Sequence, residues 1–336
     1  MSSQSPKSAV NDTFVYPEMF YITGFHDMPF AYCFYIFLII VYIFTVIFNT
    51  SLIVLIYIEE SLHNAKYFAV FHLAIADVCT TTAVIPKLTE TFIFNSHFIS
   101  YKACLADMFF VHFFSSMQSL SLAILAYDRF IAICFPLRYH NINTNSRMVI
   151  IILSVWLFSA VMTSATVLLI TKLSFCQSTE VNSYFCDHGP VYRLACNDFY
   201  LNLVIGFADI ALLLFAPLAF ILISYVAIGF TLLKITTAEG RQKALKTCTS
   251  HIILVAIFYV PLAFTYVASQ FANFHTNTRI LNNTLSATLP PMVNPIIYTI
   301  KTEEVMSSIK KLYKRRKVKH YFNNKNKMFC MGTECI

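Results

Sequence analysis

Residues 31–58 read AYCFYIFLIIVYIFTVIFNTSLIVLIYI, and no Asp, Glu, Lys or Arg interrupts the chain between Asp27 and Glu59. A helix needs only about 20 apolar residues to cross the hydrocarbon core of a bilayer. Working outward, the same gap recurs between Asp107 and Asp128, Arg147 and Lys172, Asp209 and Lys234, Lys246 and Arg279, and Arg279 and Lys301. A seventh stretch, Lys66 to Lys87, holds a single acid, Asp77. The gaps predict seven spanning helices over about 31–58, 67–90, 102–134, 148–171, 199–233, 244–272 and 280–300. Composition agrees: 57% of the chain is hydrophobic and 12% charged, against roughly 25% charged in soluble domains. The fold class is therefore an all-α membrane protein, a seven-transmembrane helix bundle. Its parts are an outer tail over 1–30, the bundle over 31–301, and a basic tail over 302–336.

Orientation follows from the 24 basic residues. With the N-terminus outside, eighteen of them fall on the inner side: Lys66; Arg129, Arg138 and Arg147; Lys234, Arg241, Lys243 and Lys246; and ten from Lys301 onward. The excess of positive charge inside puts the C-terminus in the cytoplasm. We expect a plasma-membrane protein whose net charge of +7 meets anionic lipid and not nucleic acid. After the last span, Val305, Met306, Ile309, Leu312 and Tyr313 repeat at helical spacing beside Lys310, Lys311, Lys314, Arg315, Arg316 and Lys317. That pattern predicts a short amphipathic eighth helix on the inner leaflet. Residues 1–30 lack the apolar core of a cleavable signal, so the first span is expected to direct insertion. Asn11-Asp12-Thr13 is a glycosylation acceptor on the outer face. Four of the ten cysteines, Cys104, Cys176, Cys186 and Cys196, fall on the oxidising side, which suggests two disulfides with three possible pairings.

No phosphate-cradling glycine loop, metalloprotease helix or nucleophile elbow occurs, so no enzyme, cofactor or metal is expected. The informative residues are polar ones inside the spans, which are expensive there. Asn49, Asp77 and Asn294 occupy similar depths in helices 1, 2 and 7. Pro295 has no N–H for the carbonyl of Pro291, and Pro261 leaves that of Ile257 without its helical donor. At the inner end of helix 3, Asp128 adjoins Arg129, an acid placed to hold the Arg in a local ion pair.

The run Ala126-Tyr127-Asp128-Arg129-Phe130-Ile131-Ala132-Ile133-Cys134 resembles the signature of olfactory receptors, a branch of the rhodopsin-like G-protein-coupled receptors. Further matches are Leu73-Ala74-Ile75-Ala76-Asp77, Pro86-Lys87-Leu88, Ser224-Tyr225, Lys243-Ala244-Leu245-Lys246-Thr247-Cys248-Thr249-Ser250-His251 and Pro291-Met292-Val293-Asn294-Pro295-Ile296-Ile297-Tyr298. The resemblance covers about residues 20–310. Phe130 stands where Tyr is usual and Gln118 where many members have Glu; the mixture is similar to fish-type odorant receptors.

The resemblance implies an odorant receptor that activates a heterotrimeric G protein of the olfactory stimulatory type, through cyclic AMP. It implies disulfides Cys104–Cys186 and Cys176–Cys196. It makes Arg129, restrained by Asp128, the switch, with Tyr225 and Tyr298 as its partners in the active state and Asn294-Pro295 as the bend of helix 7. It places the small-molecule pocket in the outer half of the bundle. There His112, Ser115, Ser116 and Ser119 fall on one face of helix 3, and Tyr259, Tyr266, Thr284 and Thr288 lie at matching depths. Single Ser and Thr side chains have an alternative, a hydrogen bond to their own helix. Asp209 lies ~15 Å below the outer end of helix 5, where a carboxylate needs a partner. Three readings stay open: a pair with His112, contact with a ligand's cationic or hydroxyl group, or a lipid-exposed or protonated bystander. A receptor of this fold for a non-odorant ligand is one alternative. A channel or transporter is the other, although the chain shows no internal repeat.

Overall fold

The computed structural model describes residues 15–25, 31–94, 96–176, 178–271, 276–302, 304–312 and 314. Asn11, Tyr313, most of the basic tail and the side chain of Tyr266 lie outside the described residues. Seven long helices run through the molecule: α1 (Ala31–Ile58), α2 (Ala65–Ile93), α3 (Tyr101–Cys134), α4 (Asn145–Ile170), α5 (Tyr200–Lys234), α6 (Ala238–Phe271) and α7 (Thr276–Lys301). The first six are long and apolar enough to cross a membrane. The seventh carries Asn282, Asn283, Thr284, Ser286, Thr288 and Asn294, and it packs against α1, α2 and α6. A multi-pass membrane protein follows.

Several helices begin upstream of the apolar runs that announce them. Asn64 caps α2 by accepting from Tyr67 N at 3.3 Å, and Thr144 caps α4 by accepting from Arg147 N at 3.3 Å. Each cap satisfies an amide that the first helical turn leaves without a partner. Helix α6 also starts early, at Ala238, so much of the basic inner loop is helical; its Ala, Glu, Gln, Lys and Arg residues are good helix formers in water.

Outside the bundle, a feature absent from the sequence reading covers one end. Strand β1 (Met19–Ile22) pairs antiparallel with β2 (Phe98–Ser100) and parallel with β3 (Glu180–Val181). The tail, the first outer loop and the second outer loop thus share one sheet. Phe20 and Ile22 turn inward and are fully buried against Ile99, Cys104, Met108 and Cys186. Tyr21 stacks on His97 at 5.0 Å. A second apolar core fills the inner half, where Leu52, Leu73, Leu125, Leu254, Phe258 and Tyr298 from five helices meet.

Proline positions explain two of the polar contacts between helices. Pro295 has no N–H for the carbonyl of Pro291, and Asn49 of α1 supplies the missing donor, Nδ2 to O at 2.9 Å. The same amide also donates to Thr45 O at 2.9 Å. In α5, Pro217 leaves the carbonyl of Leu213 without its helical donor, within a π turn at Ala211–Phe215. Ser119 of α3 donates to that carbonyl at 2.7 Å. Asn49→Ala strands the Pro291 carbonyl in a buried site and is expected to destabilise the bundle by about 1–3 kcal/mol. Thermal unfolding of the solubilised receptor measures this, and an unchanged midpoint contradicts it.

Candidate functional site

At the outer end, Cys104 opens α3 and is bonded to Cys186, with Cα atoms 5.3 Å apart. Cys176 and Cys196 form the second pair, 5.8 Å apart. The first bond brings the second outer loop onto α3, where Cys186 N donates to Asp107 Oδ2 at 2.9 Å. The next residue, Asp187, faces His112: Oδ1 to Nε2 is 3.4 Å. Burial pushes the Asp187 carboxyl up, but contact with His112 and, at the acid pH where the carboxyl titrates, the charges of His112, His188 and Arg279 outweigh it and hold the group below the usual carboxylate range. Asp187 is therefore an anion at neutral pH. Burial, reinforced by His112, lowers the neighbouring His188 to about 4, so its ring is neutral.

Asp209 sits differently from the pairing with His112 considered above. Its Oδ2 accepts from Thr166 Oγ1 of α4, while Oδ1 is buried without a hydrogen-bond partner among the described residues. His112 is drawn to Asp187 because the disulfide sets that loop residue against α3, a proximity that sequence distance hides.

The remaining pocket candidates divide. Ser115 is half-buried, one turn below His112. Ser116 turns toward α4, bonding Phe113 O at 2.7 Å and Ser159 Oγ. Thr284 and Thr288 are fully buried and donate to carbonyls in α7, Ile280 O at 2.7 Å and Thr284 O at 2.8 Å. Tyr259 is buried and its hydroxyl lies 2.8 Å from Ser119 Oγ. Since the single Ser119 hydrogen goes to Leu213 O, Tyr259 donates and Ser119 accepts. Helices α3, α5 and α6 therefore meet in one hydrogen-bonded node, about two helical turns below His112.

At mid-depth, Asp77 is fully buried and accepts from Gln118 Nε2 and Asn294 Nδ2, both at 2.8 Å. Gln118 was legible only as a missing charge; here it is a direct partner. Both carboxylate oxygens are satisfied by neutral amides, joining α2, α3 and α7.

At the inner end, Asp128 Oδ1 accepts from Tyr139 OH at 2.7 Å and from Asn143 Nδ2 at 2.8 Å. Arg129 Nε lies 3.8 Å from Asp128 Oδ2. The short helix Tyr139–Ile142 of the second inner loop is thus tied to the same acid that holds the Arg. Burial, and then the Asp128 charge, raise the Tyr139 hydroxyl far above its usual value, so it remains a donor. Tyr225 pairs with His251 of α6, OH to Nδ1 at 2.7 Å, and Tyr298 is buried. The arrangement is one in which Arg129 is held by Asp128 and Tyr225 is held by α6. His251 closes the motif that begins at Lys243 and lies well inside α6, yet its spacing alone assigned it no partner. After α7, Glu304 bonds Lys66 Nζ at 2.6 Å and Tyr67 OH. These hydrogen bonds outweigh burial and hold its carboxyl low.

A family model described as olfactory receptor matches residues 38–316. Olfactory receptor 4E2 of Mus musculus is 35% identical over 82% of this chain and 89% of its own length. Olfactory receptor 1M1 of Homo sapiens is 34% identical over 82% of this chain and 88% of its own. Among solved structures, squid rhodopsin superposes with a TM-score of 0.67 at 18% identity, covering 86% of this chain and 87% of that one, a likeness of fold.

Proposed function

The chain belongs to the olfactory receptor family, and from that premise we propose that it binds small-molecule odorants in the outer half of its bundle and passes the signal to a heterotrimeric G protein of the stimulatory olfactory type. The family and the seven-helix fold are those of a receptor and not of an enzyme. The N-terminus faces outward and the inner end, with its basic tail, faces the cytoplasm and its anionic lipids. His112, Ser115 and Asp209 contact the odorant, and the Ser119–Tyr259–Leu213 node forms the floor beneath it. The observation that carries this reading is that node. A ligand pressing on α5 or α6 at that depth acts on a contact that all three helices share. Deeper on the same helices, Tyr225–His251 and Asp128–Arg129 hold the inner end.

The mechanism is a population shift. Ligand and G protein both favour the state in which α6 leaves Tyr225 and Arg129 leaves Asp128, so each raises the other's affinity. Glycosylation at Asn11 and a lipid-facing helix after Lys301 complete the reading. Cyclic AMP measured in cells carrying the receptor and its stimulatory G protein tests it. His112→Ala, which removes the imidazole from Asp187 and from the pocket wall, is expected to weaken agonists by about tenfold, the loss of one polar contact. Unchanged potency for every agonist removes His112 from the pocket.

A further inference from the structure

We propose that the outer pocket selects organic ammonium ions, primary amines carrying an apolar tail, with Asp209 as the anion that receives them. This rests on the odorant-receptor reading above and adds the charge of the ligand. Among the described residues, Asp209 is the acid at this end with a buried oxygen that has no hydrogen-bond partner. Asp107 Oδ2 takes the amide of Cys186 at 2.9 Å, and Asp187 faces His112 at 3.4 Å. Asp209 Oδ2 takes the Thr166 hydroxyl, and Oδ1 is left buried without a hydrogen bond among the described residues. Two cations at this end are engaged elsewhere. Arg279 Nη2 donates to Asn182 O at 2.7 Å, and Lys87 pairs with Glu90 at 3.2 Å and reaches Phe98 O at 3.4 Å.

A second orphan lies on the facing helix. His112 Nε2 is also buried and lacks an aligned hydrogen bond, despite its closeness to Asp187. Among the described residues, α5 therefore offers a buried carboxylate oxygen with no donor, while the imidazole on α3 stays beside Asp187. An ammonium supplies three N–H donors and one positive charge, which meets the need of the Asp209 oxygen. A carboxylate ligand would meet Asp209 and Asp187 as like charges. A neutral alcohol gives one donor and no charge. Apolar side chains beside His112, including Phe185 at 5.7 Å between ring centroids, suit the tail. Binding requires the Asp209 side chain to turn its buried oxygen toward the ligand, a rotation that keeps the Thr166 bond available to either oxygen.

The test uses the full-length receptor in lipid nanodiscs with butylamine, hexylamine, octylamine and phenethylamine, each against the alcohol of the same carbon frame. Amines of this type are cationic at neutral pH, since their pKa values resemble that of lysine at about 10.4. Concentration-dependent thermal stabilisation reads the affinity. The expected result is that at least one amine binds about thirtyfold or more tightly than its alcohol, the usual scale of a desolvated charge pair. Asp209→Asn is expected to erase that preference and Asp209→Glu, which keeps the charge, to retain part of it. The glutamate variant also guards against a misfolded asparagine variant. Amines no better than alcohols, or a preference that survives Asp209→Asn, overturns the proposal. Amine selectivity without any G-protein activation keeps the ammonium site and overturns the receptor reading; activation by neutral odorants with no amine preference does the reverse.

Discussion

Arg129→Ala is expected to reach the cell surface and bind odorant as the parent does, yet no longer to drive nucleotide exchange. In the state described here, Arg129 is held at 3.8 Å by Asp128, and the acid has two further donors in Tyr139 and Asn143. Removing the guanidinium therefore leaves the acid hydrogen-bonded, and the bundle keeps its packing. What disappears is the charge beside Asp128, which in the proposed mechanism a bound G protein draws away in the open state. Coupling free energies between two sites are ordinarily 1–3 kcal/mol, or about 5- to 150-fold. Loss of the group at the coupling point should remove most of that range, so signalling falls by about a hundredfold. Cyclic AMP per surface receptor measures it. Near-normal output from a well-delivered variant rules the role out.

Cys104→Ser is expected to be the most damaging change at the outer end, and Cys176→Ser a mild one. Both cysteines of the first bridge are fully buried, whereas Cys176 and Cys196 are exposed. The first bridge also positions Asp107, Asp187 and the packing of β1 over the bundle. Helices α3 and α4 stay helical in the bilayer whether or not the bond forms, so the freed loop is the chain from Ile170 to Cys186. For about 16 flexible residues the entropic cost of losing the closure is roughly 3 kcal/mol, and the stranded amide of Cys186 adds to it. Surface delivery and thermal midpoint of the two variants measure the contrast. Equal effects contradict it.

The helices were legible because a bilayer demands long uncharged runs, and a charge gap needs no knowledge of neighbours. Their first turns were less so, since Asn64 and Thr144 cap them from outside the apolar runs. Strands of four, three and two residues, drawn from three distant segments, have no alternation long enough to announce them. The vacancy at Pro291 could be read from Pro295 alone, whereas its filler, Asn49, lies 242 residues away. The same limit explains Asp209. Its need for a partner was legible from depth, but the choice of Thr166 over His112 depends on how α4 meets α5 and on where the disulfide sets Asp187. Gln118 looked like an absence until α2 and α3 were packed together. Its amide then proved to be a donor to Asp77.

Nucleotide exchange on a purified stimulatory G protein, catalysed by the receptor in nanodiscs, bears most directly on the central claim that ligand at the outer end opens the inner end. An odorant panel should accelerate exchange with the parent receptor and leave it at the uncatalysed rate with Arg129→Ala. Exchange that ignores every ligand, or that Arg129→Ala supports as well as the parent, contradicts the account.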